Sequence, residues 1–204
     1  MTEILAFNRA VTNADLMVKC RDLGYISQTD VVLDVTFGEG RFWSLWTPPV
    51  FVRSDIAGGE AIFKWDFRKI PLPDGSVNTV ILDAPYKLSG TANRGGPASS
   101  DASYGINDYM PWQEKHQMIR DGITETSRLI VKGGHLLLKC MDQVCSGEVR
   151  WQTYEFKDHA EQMGLQLVDR FDLEGYRKQP TGRRQVHARR NHSTLLVFKQ
   201  KVAW

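Results

Sequence analysis

The stretch DVVLDVTFGEGRF, residues 30–42, begins with a nearly continuous run of apolar and β-branched residues and then turns at two glycines. Such a run is typical of a strand that is buried on both faces of a sheet. Gly38 and Gly40 lack a Cβ atom, so a ligand can approach the backbone closely there. The stretch therefore predicts a central strand followed by a turn that can line a binding site.

The rest of the chain alternates apolar runs with segments of helical spacing. Seven segments predict strands, at residues 30–37, 50–55, 61–67, 77–84, 133–141, 165–173 and 192–200. Three predict helices, at 14–24 (after an N-cap at Thr12 or Asn13), 110–131 and 151–164. This alternation indicates an α/β fold with a mostly parallel seven-stranded sheet. The last two strands have no helix between them and are expected to form an antiparallel hairpin at the sheet edge.

Two acids stand at or near the ends of the first two predicted strands. Asp34 stands near the end of the first strand, and Asp55 ends the next one, 21 residues further on. An acid about 20 residues beyond such a turn is suited to accept hydrogen bonds from the two hydroxyls of a ribose. Trp43 occupies the third glycine position of the dinucleotide motif G-x-G-x-x-G, and no phosphate-binding G-x-x-x-x-G-K occurs.

A cofactor with a ribose and without a phosphate fits this turn, and S-adenosylmethionine (SAM) is such a molecule. Asp34 would hold its ammonium group directly or through water. The alternative is an ordinary tight turn in which Gly38 and Gly40 serve the backbone geometry alone.

A second motif lies in VILDAPYKLSG, residues 80–90, where a predicted strand ends in an acid, a proline and an aromatic residue. In open α/β sheets ligands bind at the carboxyl ends of the strands. DVTFGEG followed by DAPY resembles the SAM-dependent amino methyltransferases, which act on exocyclic amines of nucleobases. Their hallmark is Asp, Asn or Ser followed by two prolines and an aromatic residue, and it stands here as Asp83-Ala84-Pro85-Tyr86. The resemblance spans roughly residues 30–200 and implies a Rossmann-like class I methyltransferase fold.

The chemistry of base amines gives each residue of this motif a role. The lone pair of adenine N6 or cytosine N4 is delocalised into the ring, so the amine attacks a methyl sulfonium only when it pyramidalises. Two acceptors aimed at its N–H bonds favour that geometry. They would be the carboxylate of Asp83 and the backbone carbonyl of Ala84, which Pro85 holds in place. Tyr86 would stack on a base that has left its duplex. The alternative is a strand cap followed by a turn.

The resemblance also implies further contacts to the cofactor. Thr36 and Phe37 belong to the turn around it, Asp66 would accept a hydrogen bond from its adenine amine, and Phe67 would lie beside the adenine ring. For Asp66 the alternative is a surface acid at a strand end, and for Phe37 it is core packing.

Two segments carry candidate contacts to nucleic acid. Residues 87–110 predict a mobile loop with the cations Lys87 and Arg94 and the aromatic residues Tyr104 and Tyr109. Residues 174–192 predict a basic hairpin loop with six of the 26 Lys and Arg against one acid. Such loops contact phosphates and make binding depend on salt. The loop's candidate contacts are Arg183, Arg184, Arg189 and Arg190. The alternatives are a flexible loop without this role and a solvated basic hairpin.

The composition sets outer limits on class and location. The chain has 204 residues, 42% hydrophobic and 25% charged, with a net charge of +2, as expected of one globular methyltransferase domain over 1–204. Cys20, Cys140 and Cys145 form no disulfide framework and, with His135, no standard zinc pattern, so we expect reduced thiols and no metal. No signal peptide or membrane-length apolar run is recognised, which predicts a cytoplasmic protein without membrane contact.

Together these features predict methyl transfer from SAM to a base amine, first adenine N6 and second cytosine N4 of DNA. An RNA methyltransferase acting on adenine N6 or guanine N2 stays open. So do a SAM-binding subunit without catalysis and a methyltransferase of proteins or small molecules. The small size predicts either a short recognition sequence or target recognition shared with a homodimer or a partner chain.

Overall fold

A seven-stranded sheet forms the centre of the computed structural model, which describes residues 8–88, 101–104, 106, 109–175, 186–188 and 190–201. Its strands, in chain order, are β1 (Arg9–Ala10), β2 (Val31–Asp34), β3 (Val50–Arg53), β4 (Val77–Leu82), β5 (Ile130–Cys140), β8 (Leu165–Leu173) and β9 (Ser193–Gln200). A separate two-stranded hairpin consists of β6 (Gln143–Cys145) and β7 (Glu148–Arg150). The helices are α1 (Asn13–Asp22), α2 (Trp112–Leu129) and α3 (Gln152–Gln162).

The strand order is β1-β8-β9-β5-β4-β2-β3, and β9 alone runs against the others within this sheet of the described residues. The predicted α/β class and the antiparallel pairing of the last two strands are therefore confirmed. Because β2, β4 and β5 are parallel, their carboxyl ends meet at one edge. The glycine turn and the Asp83 motif leave the sheet at that edge.

Both faces of the central strands are covered. Leu33, Val80 and Leu136 pack on one face in a cluster with residues of α2 and α3. The neighbouring residues Val32 and Ile81 point to the other face and pack in a cluster with residues of α1. This alternation follows from the period of two in a strand, and it explains why the central strands are mainly apolar on both faces.

The helix boundaries follow local signals. Thr12 caps α1 and accepts a hydrogen bond from the backbone N–H of Asp15 at 3.1 Å, while the Asp15 carboxylate accepts one from the Thr12 N–H at 2.9 Å. This is the reciprocal capping box that favours a helix start. Gly164, with φ of 89°, follows α3 and provides the left-handed conformation in which many helices end.

The predicted strand at 61–67 is wrong. Its segment forms no strand and meets the chain at the end of β3 in one isolated parallel bridge, between Ser54 and Phe63. Ile62 and Phe63 are exposed, so the alternating pattern has no second face to bury. The backbone then turns at Asp66, whose carbonyl accepts a hydrogen bond from the Lys69 N–H at 2.8 Å.

The seventh strand of the sheet comes instead from the N-terminal side. The two-residue β1 pairs in parallel with the end of β8. The last hairpin therefore does not form the sheet edge, which is a second correction. The β6–β7 hairpin is also absent from the sequence prediction, because its strands have only three residues each and no marked alternation.

The composition also led to predictions about the cysteines and about membrane-spanning segments. Cys20, Cys140 and Cys145 are free and buried. Among the described residues, no helix has both the length and the apolar composition needed to cross a membrane.

Candidate active site

A cavity of about 540 Å³ opens at the carboxyl edge of the central strands. Its walls come from the segments that follow β2, β3 and β4, from the end of β5 and from the start of α1. The lining residues are Asn13, Thr36, Phe37, Gly38, Glu39, Arg41, Phe42, Asp55, Ala57, Gly59, Asp83, Pro85, Tyr86, Lys87, Tyr104 and Lys139. The volume lies within the range of small-molecule and cofactor sites. The structure thus brings together the two motifs that stand more than 40 residues apart in the chain.

Thr36 connects the glycine turn after β2 to the Asp83 motif after β4 by hydrogen bonds. Its hydroxyl oxygen accepts a hydrogen bond from the backbone N–H of Asp83 at 2.7 Å. The same hydroxyl lies 3.5 Å from Oδ1 of Asp34, to which it donates. The residue after β4 is therefore held in register with the turn after β2.

Asp55 and Gly38 form the next part of the wall. Oδ2 of Asp55 accepts a hydrogen bond from the Gly38 N–H at 2.9 Å, and Oδ1 accepts one from the Ala57 N–H at 2.8 Å. Gly38 has φ of 53° and Gly59 has φ of 54°, and a Cβ on Gly59 would lie 2.6 Å from the Gly38 carbonyl oxygen. Burial raises the pKa of Asp55 above its ordinary value, against these backbone donors, which lower it.

Asp34 lies behind the cavity wall and is fully buried. Its carboxylate accepts hydrogen bonds from the Trp43 indole N–H at 2.8 Å and from the Thr36 backbone N–H at 2.9 Å. Burial raises the pKa of Asp34 to about 7. Trp43, which stands at the third glycine position, thus donates a hydrogen bond to Asp34, the carboxylate that was predicted to hold the ammonium group of the cofactor.

Asp83 presents a carboxylate to the cavity directly after β4. Its Oδ1 atom is buried without a hydrogen-bond partner among the described residues. The hydroxyl of Tyr104 donates a hydrogen bond to the carboxylate. Burial raises the pKa of Asp83, and the positive charges of Lys139 and Lys87 oppose this rise. One acceptor atom of this cavity-lining residue therefore has no hydrogen-bond donor among the described residues, although the Lys139 ammonium lies 4.0 Å from it.

Lys139 is a site residue that the sequence analysis missed. Its ammonium nitrogen donates to Oδ1 of Asn13 at 2.6 Å and lies 5.1 Å and 5.8 Å from the ring centroids of Phe42 and Tyr86. Burial lowers the pKa of Lys139, while the charge of Asp83 raises it. The signal was present, because Lys139 interrupts the apolar run LLLKC, residues 136–140, in the half of β5 where every residue is buried.

Two glutamines, also missed, hold the backbone of the motif. The carbonyl oxygen of Tyr86 accepts hydrogen bonds from the side-chain amides of Gln143 and Gln152, both at 2.8 Å. The carbonyl oxygen of Ala84 accepts one from the Tyr86 N–H at 2.7 Å. Ala84 is fully buried, whereas Pro85 and Tyr86 line the cavity. Nothing in a lone glutamine marks it in advance as a support for a distant strand end.

Tyr104 is held over Asp83 by a buried ion pair. Lys115 on α2 contacts the carboxylate of Asp101 at 2.6 Å, and both side chains are fully buried. The Lys115 ammonium also donates to the carbonyl oxygen of Lys87 at 2.7 Å. Asp101 begins the short 3-10 turn that ends at Tyr104, so this ion pair ties the turn to the cavity.

Besides Asp34, three further predicted cofactor residues do not line the cavity. Asp66 pairs with Arg68 at 2.6 Å, and this hydrogen bond is the main cause of its lowered pKa. Phe67 is buried in the core that includes α2. Gly40 has φ of 68°, and a Cβ there would lie 2.8 Å from the ring of Phe37.

The predicted nucleic-acid contacts are only partly described. Arg94, Arg183, Arg184 and Arg189 lie outside the described residues, as do most of the two loops that contain them. Lys87 lines the cavity. Arg190 stacks on Trp151, with its guanidinium carbon 4.3 Å from the ring centroid. The basic segment re-enters the sheet at the edge of the cavity, because Thr194 pairs with Cys140 at the end of β5.

Comparison with known proteins shows the fold of this chain. No family model matches, and no curated protein matches. A protein from Bacillus halodurans, proposed to be a methyltransferase, has a TM-score of 0.57 and 15% identity over 93% of this chain and 99% of its own length. A SAM-dependent methyltransferase from Methanosarcina mazei has a TM-score of 0.52 and 13% identity over 89% and 97%. The chain therefore has the Rossmann-like fold of class I methyltransferases.

A third similar structure is a protein from Thermus thermophilus, proposed to be a DNA modification methylase. It has a TM-score of 0.45 and 15% identity over 68% of this chain. This chain spans about half the length of that protein, with 52% of it covered. The match is too distant to support a substrate.

Proposed function

We propose that the cavity binds SAM and that the chain transfers a methyl group to an exocyclic amine of a nucleobase in nucleic acid. The target that we propose first is adenine N6 of DNA. The single observation that carries this proposal is Oδ1 of Asp83, a buried acceptor without a hydrogen-bond partner among the described residues, on a side chain that lines the cavity. Leaving a buried polar atom unsatisfied costs about 1–3 kcal/mol, so such an atom points to a donor that binds there.

The cavity residues fit SAM. Asp55 already accepts two backbone hydrogen bonds and has further lone pairs for the hydroxyls of a ribose. Gly38 leaves its backbone open to a ligand, and the ring of Phe37 stands beside it. When bound, SAM supplies an electrophilic methyl group on a sulfonium. Asp34 is enclosed by Thr36 and Trp43, so we expect it to hold the turn rather than touch the cofactor.

The strand-end motif then orients the target amine. Oδ1 of Asp83 would accept one N–H of the amine and stabilise the positive charge that develops on nitrogen. The carbonyl of Ala84 would accept the other with its second lone pair, since the Tyr86 N–H uses only one. The two glutamine amides on the Tyr86 carbonyl supply the rigidity that a second proline would give.

Base recognition follows from the same geometry. The Tyr86 and Tyr104 side chains both line the cavity near Asp83, which suits a planar base that has left its stack. Adenine N6 and cytosine N4 both present two N–H bonds beside a ring nitrogen. DNA is preferred on the resemblance of the Asp83 motif, and RNA is the second candidate. A subunit that binds SAM without catalysis is disfavoured by the available acceptor on Asp83.

Methyl transfer from labelled SAM tests the proposal. Unmethylated DNA, RNA and a mixture of unmodified proteins would be offered in parallel to the wild type, Asp83→Ala, Asp83→Asn and Asp158→Ala. Asp158 is an exposed acid on α3 and serves as the matched control. We expect label in nucleic acid, lost in Asp83→Ala, partly kept in Asp83→Asn because an amide oxygen still accepts, and unchanged in Asp158→Ala. Label in protein alone would contradict the proposal.

A further inference from the structure

We propose that Trp151, Tyr154 and Arg190 form a platform that binds an unpaired nucleic-acid strand next to the target nucleotide. We call this surface the aromatic platform. The inference rests on the proposed function and adds to it a second contact region outside the cavity.

The two aromatic side chains are unusually open to solvent. Trp151 is 45% exposed and Tyr154 is 63% exposed, and their ring centroids lie 5.7 Å apart at 74°. Trp151 precedes α3 and Tyr154 lies in its first turn. Large aromatic rings that neighbour each other at a surface are typical of a binding site, because core packing does not explain them. Every nucleobase has a flat face that can stack on such rings.

Arg190 gives the platform its charge. Its guanidinium carbon lies 4.3 Å from the Trp151 ring centroid, and one terminal nitrogen donates to the carbonyl of Ala188 at 3.1 Å. A stacked guanidinium has five N–H donors in its plane, so it can still pair with a phosphate. Residues 174–192 contain six Arg and Lys against one acid, so the sequence around Arg190 favours a polyanion over an apolar partner.

The platform is joined to the candidate active site. Gln152 follows Trp151 directly, and its amide donates to the carbonyl of Tyr86 at 2.8 Å. On the other side, Nε2 of His187 lies 2.9 Å from the Gly147 carbonyl oxygen, which connects the basic segment to the β6–β7 hairpin. A strand that places a base in the cavity would therefore reach the platform within a few nucleotides.

An unpaired strand is the occupant that this chemistry favours. Bases inside a duplex have both faces covered by their neighbours. The exposed rings of Trp151 and Tyr154 would therefore find no free base face to stack on in a duplex. Nucleotides beside a base that has left the helix, or in a single strand, offer free faces. A second copy of this chain would instead bury Trp151 and Tyr154 against an apolar surface, and it would have no need of the arginine.

The test uses fluorescence anisotropy of labelled single-stranded and duplex oligonucleotides with the full chain. The variants are Trp151→Ala, Tyr154→Ala and their combination, with Ile62→Ala as control. Ile62 is 60% exposed and lies beside β3. β3 is one edge strand of the sheet and β1 is the other. We expect the double variant to bind single strands about tenfold or more weakly, from the stacking of one or two bases. SAM binding, measured by calorimetry, should stay unchanged, and Ile62→Ala should match the wild type.

Two results would overturn the inference and leave the proposed function standing. One is wild-type affinity of the double variant for single strands while methyl transfer continues. The other is a wild-type dimer that becomes a monomer in the double variant without loss of nucleic-acid binding, which would make the surface an interface between copies. Absence of any nucleic-acid binding by the wild type would contradict both proposals together.

Discussion

The ammonium nitrogen of Lys139 lies 4.0 Å from Oδ1 of Asp83, and the two side chains are only 4% and 15% exposed. A buried cation thus faces the acceptor atom that we assign to the target amine. Since burial raises the pKa of Asp83 and the charge of Lys139 lowers it, the pair decides over which pH range the carboxylate is ionised.

We predict that Lys139→Met moves the acidic limb of the activity profile to higher pH. The variant removes the nearest positive charge, so the pKa of Asp83 rises further and a smaller fraction is ionised at a given pH. An opposite charge at this distance typically shifts a pKa by about 1–3 units. Initial rates of methyl transfer between about pH 5 and about pH 9 measure the shift of the acidic limb. Lys132→Met, at an exposed lysine on the same strand, is the control, and equal profiles for both variants would refute the prediction.

Asp55→Ala is expected to weaken SAM binding about tenfold or more. The variant removes a carboxylate from the wall and leaves the Gly38 and Ala57 N–H groups without their acceptor, and a hydrogen bond to a charged group is worth about 1.5–3 kcal/mol. Calorimetric titration with SAM gives the affinity directly. Asp22→Ala, at an exposed acid at the end of α1, should bind SAM as the wild type does. Equal affinity of the Asp55 variant would remove Asp55 from the cofactor site.

Tyr104→Phe should lower the turnover number about tenfold while SAM affinity stays near that of the wild type. The variant deletes only the hydroxyl that donates to Asp83, so the carboxylate loses a fixed orientation and its pKa rises. Single-turnover rates at saturating SAM measure the effect. Tyr25→Phe, which removes a hydroxyl that donates to Asp169 at 2.8 Å outside the cavity lining, serves as the comparison. A rate equal to that of Tyr25→Phe would mean that the Tyr104 hydroxyl has no part in the reaction.

The Lys115–Asp101 ion pair should stabilise the fold and the position of Tyr104 together. Lys115→Met leaves the buried carboxylate of Asp101 without its cation, which costs about 3–5 kcal/mol of unfolding free energy. The double variant Lys115→Met/Asp101→Asn removes both charges and should recover part of that loss. Urea denaturation of the two variants checks this order, and a double variant less stable than the single one would contradict it.

Much of the fold could be predicted from the sequence, because its central strands are mainly apolar and its helices have clear boundaries. The predictions of β2, β4, β5 and β9 needed only the apolar runs, whereas β8 has four polar residues among its nine. The segment 61–67 shows where the pattern fails. Its alternation resembles that of a strand, but a strand also needs a partner and a covered face, and neither is written in the local sequence.

The site divides in the same way. Gly38, Asp55 and Asp83 meet at one cavity because parallel strands bring their ends together, and the sequence shows those ends. Lys139 and Gln152 reach the site through side chains from other elements, so their roles depend on distances that only the fold sets. Trp43 is the clearest case, because a residue that appeared only to break a glycine motif covers Asp34 in the structure.

The most direct test of the central claim is the identity of the methylated product. After reaction with labelled SAM, DNA and RNA would be digested to nucleosides and the labelled nucleosides identified by mass. The account predicts N6-methyladenine from DNA, or N4-methylcytosine, and no product with Asp83→Ala. A methyl group on a ring carbon, on a ring nitrogen or on ribose, or one that persists in Asp83→Ala, would contradict the assignment of Asp83 as the acceptor for an exocyclic amine.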